Sequence, residues 1–180
     1  LRELFYESET LMSGGDASPA RSARIETSKD ALAAKIKDFP VMAHRHALTR
    51  HYDSYWAAFD VDELEFHARL MRDTDEKGEK LAIGARADAS GTVTEIVIYT
   101  SDHPGLFSRL AGAISVSNGS ILGAKIFTTS DGYALDVFRV QDAMGGPFGD
   151  HGRIERLRVR EALAAKKPVA TKMGLERLAP

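Results

Sequence analysis

Hydrophobic positions along this chain follow two rhythms. Before Gly78 they recur at helical intervals; after it they gather into extended runs. Leu1, Leu4, Phe5, Leu11 and Met12 form a stripe among Arg2, Glu3, Glu7 and Glu9, which reads as a helix end in need of a surface. Residues 13–20, SGGDASPA, have linker composition. Ser28 can cap a short helix over 28–38, with Ala31, Leu32 and Ile36 on its apolar side and Phe39-Pro40 as its stop. Residues 41–56 read as one further helix. Residues 60–73 form another, with Leu64, His67, Ala68 and Met71 on one face. The charged stretch 75–79 breaks the pattern.

The second rhythm opens with residues 81–87, extended in character, and a turn at Asp88-Ala89-Ser90-Gly91. Residues 92–100, TVTEIVIYT, carry the Val, Ile, Thr and Tyr enrichment of a strand. After Ser101-Asp102-His103-Pro104-Gly105, a helical stripe appears in Leu106, Phe107, Leu110, Ala113 and Ile114. Asp102 is the better-placed acceptor for the free N–H groups of that helix, and Pro104 suits its first turn. Asn118-Gly119 stops it with a pair that tolerates a left-handed backbone. The run SILGAKIFTTSDGYALDVFRV gives two strands about a hairpin turn at Ser130-Asp131-Gly132. Residues 145–149 are a loop. Residues 151–167 form a second helix with Ile154, Leu157 and Leu163 as buried candidates, ended by Pro168 and a loose basic tail.

The chain has 180 residues, 43% of them hydrophobic, enough for one ordinary core with segments to spare. A net charge of −2 gives no electrostatic case for nucleic acid or an acidic membrane surface. The absence of cysteine removes disulfide and thiolate chemistry and fits a reducing compartment. No apolar run approaches the roughly 20 residues of a membrane span. The chain opens on Leu1 inside a helical pattern, so it is expected to be a fragment of a longer protein.

Catalytic chemistry finds little support. His44 and His46 point different ways on a helix, and no carboxylate or cysteine completes a ligand set for His44 and His51. A polar helix face with a partly buried His67, and no metal, is expected. Asp60-x-Asp62 is spaced like the magnesium-holding carboxylates of nucleotidyltransferases. The preceding Tyr55-Trp56-Ala57-Ala58-Phe59 supplies neither the Gly-Ser turn nor the strand such a site needs, so helix capping is expected. Gly14-Gly15 lacks the strand and lysine of a phosphate loop. His103 beside Asp102 lacks a nucleophile or orienting partner, so no catalytic residue is assigned. What remains is a binding element. N–H groups at a helix start attract a carboxylate, and Gly105 permits close approach, so an amino acid fits the chemistry of this turn.

The run DHPGLFSRLAGAI with NGSILGAKIFTTSDGYALDVFRV resembles an ACT domain. Together with HYDSYW, FHARLMRD and LRELFYESETLMSGG, it resembles more narrowly the first ACT domain of the bifunctional uridylyltransferase/uridylyl-removing family, which modifies the PII nitrogen-signalling protein. The resemblance implies an α+β, ferredoxin-like ACT fold, a cytoplasmic location and a regulatory role. The ligand would be glutamine, bound at Asp102, His103, Pro104, Gly105, Leu106 and Phe107 where two ACT domains meet, by ACT–ACT pairing or in a homodimer. The parent would move uridylyl groups from UTP to PII when glutamine is scarce and remove them when it is plentiful, using magnesium. Both catalytic centres would lie outside this chain, and no cofactor is expected within it. Another amino-acid-responsive parent, or a ligand-free pairing module, are the alternatives.

On this resemblance, residues 1–20 end an upstream hydrolase domain and its linker, 21–78 are a helical linker region, 79–167 the ACT domain and 168–180 a tail. An ACT domain has a βαββαβ order with its fourth strand beside the first. The stretch PVATKMGLERLAP is a poor strand, which would leave 92–100 at an open apolar edge. Residues 81–87 offer a remedy by pairing antiparallel with it. The expected sheet has four antiparallel strands with two helices on one face, and its exposed face or outer edge favours a homodimer.

Overall fold

A computed structural model describes residues 19–88 and 90–148. The expected N-terminal helix end, the second helix over 151–167 and the tail lie outside the described residues. Within them run α1 (Pro19–Lys35), α2 (Val41–Thr49), α3 (Asp53–Ala58), α4 (Val61–Glu76), β1 (Leu81–Ala87), β2 (Thr94–Ser101), α5 (Leu106–Val116), β3 (Gly119–Thr128) and β4 (Tyr133–Asp142). The fold is α+β, of the ferredoxin-like kind.

The four strands are antiparallel in the order β1-β2-β4-β3. β1 pairs with β2 from Leu81 opposite Thr100 to Ala87 opposite Thr94, so the hairpin covers the apolar edge as the sequence suggests. Asn118 (φ 63°) ends α5, and Gly132 (φ 84°) sits in the β3–β4 turn.

Successive strand residues point to opposite faces. Ile96, Ile98, Ala134, Phe138 and Val140 pack with Leu106, Leu110, Ala113 and Ile114 of α5. Val97, Tyr99, Leu135 and Val137 pack instead with Leu32, Tyr55, Trp56, Leu64 and Met71 of the N-terminal helices. The expectation of an exposed sheet face is therefore corrected: α1–α4 form a layer over it. Every residue of β2 from Thr94 to Thr100 is buried, which is why the run reads as apolar on both faces.

Helix limits differ from the sequence pattern in several places. α1 is described from Pro19, ahead of the expected start at Ser28; Ser28 lies inside it, its hydroxyl donating to the Arg24 carbonyl at 3.1 Å instead of capping. The single helix expected over 41–56 is two. The Arg50 carbonyl accepts from the Ser130 N–H at 2.9 Å, and the buried Arg50 side chain turns into the sheet layer. α4 runs on to Glu76, through part of the expected loop. Its start follows expectation. The Asp60 carboxylate accepts from the N–H groups of Asp62 and Glu63 at 2.9 Å each, and Glu63 accepts from the Asp60 N–H at 2.7 Å.

Arg50 ties the two layers together. Its Nη1 donates to Asp75 Oδ2 at 3.0 Å, and its Nη2 donates to Tyr99 Oη at 2.6 Å and to Asp131 Oδ2 at 2.8 Å. Tyr99 Oη donates in turn to Asp75 Oδ1 at 2.8 Å. On the other flank, Lys125 Nζ donates to the Ala58 carbonyl at 2.6 Å.

Candidate functional site

The 102–107 turn joins β2 to α5. Gly105 is the N-cap, at φ 80° and ψ 4°, and no side chain caps the helix start. The cap expected of Asp102 is corrected. Its Oδ2 accepts from Thr128 Oγ1 at 2.8 Å and its N–H donates to the Gly132 carbonyl at 3.0 Å, so the residue is drawn toward the β3–β4 hairpin instead. Pro104 precedes the helix and is not in its first turn. The Leu106 N–H donates to the His103 carbonyl at 3.2 Å, closing the turn.

The six predicted residues divide by environment. Asp102, Pro104 and Gly105 are exposed, His103 and Phe107 half-buried, and Leu106 buried in the α5 core. Phe107 stacks on Phe138 with ring centroids 5.6 Å apart. A Cβ at Gly105 would meet nothing within 4 Å, so glycine is needed there for its left-handed backbone, not for space.

A further acidic residue lies on the sheet face that carries α5, one row of paired residues away from the turn. Asp136 lies on the α5 face of β4, between Ile98 of β2 and Ile126 of β3. It is 1% exposed, and its Oδ1 has no hydrogen-bond partner. Burial pushes its carboxyl up to about 7, and the Asp102 charge pushes the same way. Sequence reasoning missed it. The available signal was one acid inside the apolar run ALDVFRV.

The histidines do not gather as a ligand set, although His51 and His67 both meet Tyr55. His44 Nε2 lies 3.3 Å from the Ala33 carbonyl and His46 Nε2 lies 3.2 Å from Asp131 Oδ2. His51 stacks on Tyr55 at 3.7 Å, and His67 Nδ1 lies 3.3 Å from Tyr55 Oη. Burial depresses both His51 and His67 to about 3, so each is neutral. Asp62, beyond the capping box, pairs with Lys35 at 2.8 Å.

No family model matches the chain. Individual proteins do. It is 43% identical over 152 residues to a bifunctional uridylyltransferase/uridylyl-removing enzyme of Azospirillum brasilense, a match covering 84% of this chain and 16% of the relative. Enzymes of the same name match at 38% over 171 residues in Rhodospirillum rubrum and at 37% over 182 residues in Gluconobacter oxydans. Those matches cover 94% and 98% of this chain, and 18% and 19% of the relatives. The chain belongs to the bifunctional uridylyltransferase/uridylyl-removing family. It spans less than a fifth of the length of these relatives and corresponds to a segment of such an enzyme. Among the described residues of this uridylyltransferase/uridylyl-removing segment, no three His, Asp or Glu side chains converge as metal ligands, and no helix is long and apolar enough to cross a membrane.

Proposed function

We propose that this chain is the regulatory, ACT-type segment of a bifunctional uridylyltransferase/uridylyl-removing enzyme, and that it senses glutamine at the 102–107 turn. The observation carrying this reading is the start of α5, where Gly105 leaves the helix without a side-chain cap. The positive end of the helix dipole there suits a ligand carboxylate. The parent's uridylylation and deuridylylation of PII, and its use of magnesium, belong to centres elsewhere in that enzyme. The site is completed by a second ACT-type unit, in the same chain or in a homodimer. The outer edge of β3, which has no strand partner among the described residues, supports this, with Leu122 52% and Ile126 43% exposed.

Calorimetric titration of the full-length enzyme with a panel of amino acids tests the reading. Glutamine is expected to bind in preference to the others. Gly105→Val is expected to weaken binding by straining the turn's backbone, with the fold checked by circular dichroism. Absence of binding by any amino acid, or indifference to Gly105→Val, would sink the proposal.

A further inference from the structure

We propose that Asp136 receives the ammonium group of the amino acid held at the 102–107 turn. The proposal rests on the amino-acid-sensing reading above and adds to it a residue from the sheet. Its starting point is a transverse row across the α5 face. Ile83, Ile98, Asp136 and Ile126 are paired neighbours on β1, β2, β4 and β3, so one carboxylate stands in a row of three isoleucines. A buried acceptor without a partner is costly to a fold. A residue that breaks the local pattern in this way points to a function.

The surroundings fit a cation better than a second anion. Asp102, at the rim of the turn, is the charged group acting on Asp136. Thr128, at the same end of β3, donates its hydroxyl to Asp102. The row between Asp136 and the turn is Thr100, Ala134 and Thr128, so Ala134 is the residue on β4 that separates Asp136 from that end of the sheet. Its side chain is a single methyl group, and two hydroxyl residues flank it. Ile126, Asp136's neighbour on the edge strand, is partly open to solvent.

A zwitterion bound here would place its carboxylate at the start of α5 and its ammonium toward Asp136. The ammonium would supply the partner that Oδ1 lacks. A dicarboxylate without an amino group would instead bring a further negative charge to Asp102 and Asp136.

The test pairs a side-chain change with a ligand change in the full-length enzyme. L-glutamine and 4-carbamoylbutanoate, which is glutamine without its amino group, are titrated into the wild type and into Asp136→Asn, which keeps the side-chain shape. In the wild type, removing the amino group is expected to weaken binding roughly ten- to hundredfold, the range of a charge-assisted contact. In Asp136→Asn, glutamine is expected to weaken by a similar factor, and the two ligands to bind alike. Equal glutamine affinity in wild type and Asp136→Asn would overturn the role of Asp136 while leaving glutamine sensing intact. Equal loss of both ligands in the variant would show a structural role and overturn the proposal too. Failure of the wild type to bind glutamine would overturn the sensing reading and this inference together.

Discussion

His51, His67 and Asp136 are buried groups with displaced proton affinities, and they act on stability in opposite directions. The folded chain keeps both histidines neutral down to about pH 3, whereas their unfolded counterparts charge near 6.5. Below that value the unfolded state binds more protons. The contribution of the pair is therefore intact above about pH 6.5 and is lost as pH falls toward 3, at roughly 1.4 kcal/mol per pH unit for each histidine. Asp136 holds its proton to about pH 7 when folded, against an ordinary value of 3.8. Between those values the folded state binds the extra proton, and stability falls as pH rises, by roughly 1.4 kcal/mol per unit. Two histidines outweigh one carboxyl. These groups give stability that rises by a net of roughly 1.4 kcal/mol per unit from about pH 4 to 6.5 and stops rising there. Urea unfolding across that range checks the slope, and His51→Phe is expected to flatten the acid limb. A flat profile in the unmutated chain would contradict the burial of these rings.

At the scale of elements, α4 packs closely on β1 at Gly84. A Cβ at Gly84 would lie 2.9 Å from Phe66 Cζ and 3.1 Å from Leu70 Cδ2. Gly84→Val is expected to push α4 from the strand and to cost about 1–3 kcal/mol, the usual penalty of overpacking. Thermal unfolding checks this, and an unchanged midpoint would show that Phe66 swings aside freely. This contact also marks what the sequence could and could not tell. Strands, their hairpins and the α5 stripe were legible because alternation, Gly-containing turns and helical spacing are local signals. The layer formed by α1–α4 was not, since an apolar helical stripe does not name the surface it covers. The break at Arg50 was equally invisible, being set by Asp131 and Tyr99 far along the chain. At the candidate site, Gly105 was legible as a turn residue, whereas the place of Asp136 on the α5 face is set by strand pairing with Ile98 and Ile126.

On the scale of the molecule, helices and sheet share a core, and Arg50, only 3% exposed, bridges them. The two layers are expected to unfold together. The single tryptophan, Trp56, reports on the helical layer, and far-ultraviolet circular dichroism reports on the whole. Coincident denaturant midpoints are expected from both probes, and separated transitions would show independent layers. Arg50→Ala should lower both midpoints equally, costing about 3 kcal/mol as Asp75 and Asp131 lose their partner. The place of β1 beside β2 also bears on the order of events at the ribosome. Because β1 precedes β2, all the described strands of the sheet have been synthesised once Asp142 is added. The sheet can therefore close as the nascent chain emerges, without waiting for later residues. Stalled chains of increasing length should become protease-resistant soon after Asp142 leaves the exit tunnel. Resistance that comes only with much longer chains would show that the sheet depends on residues C-terminal to Asp142.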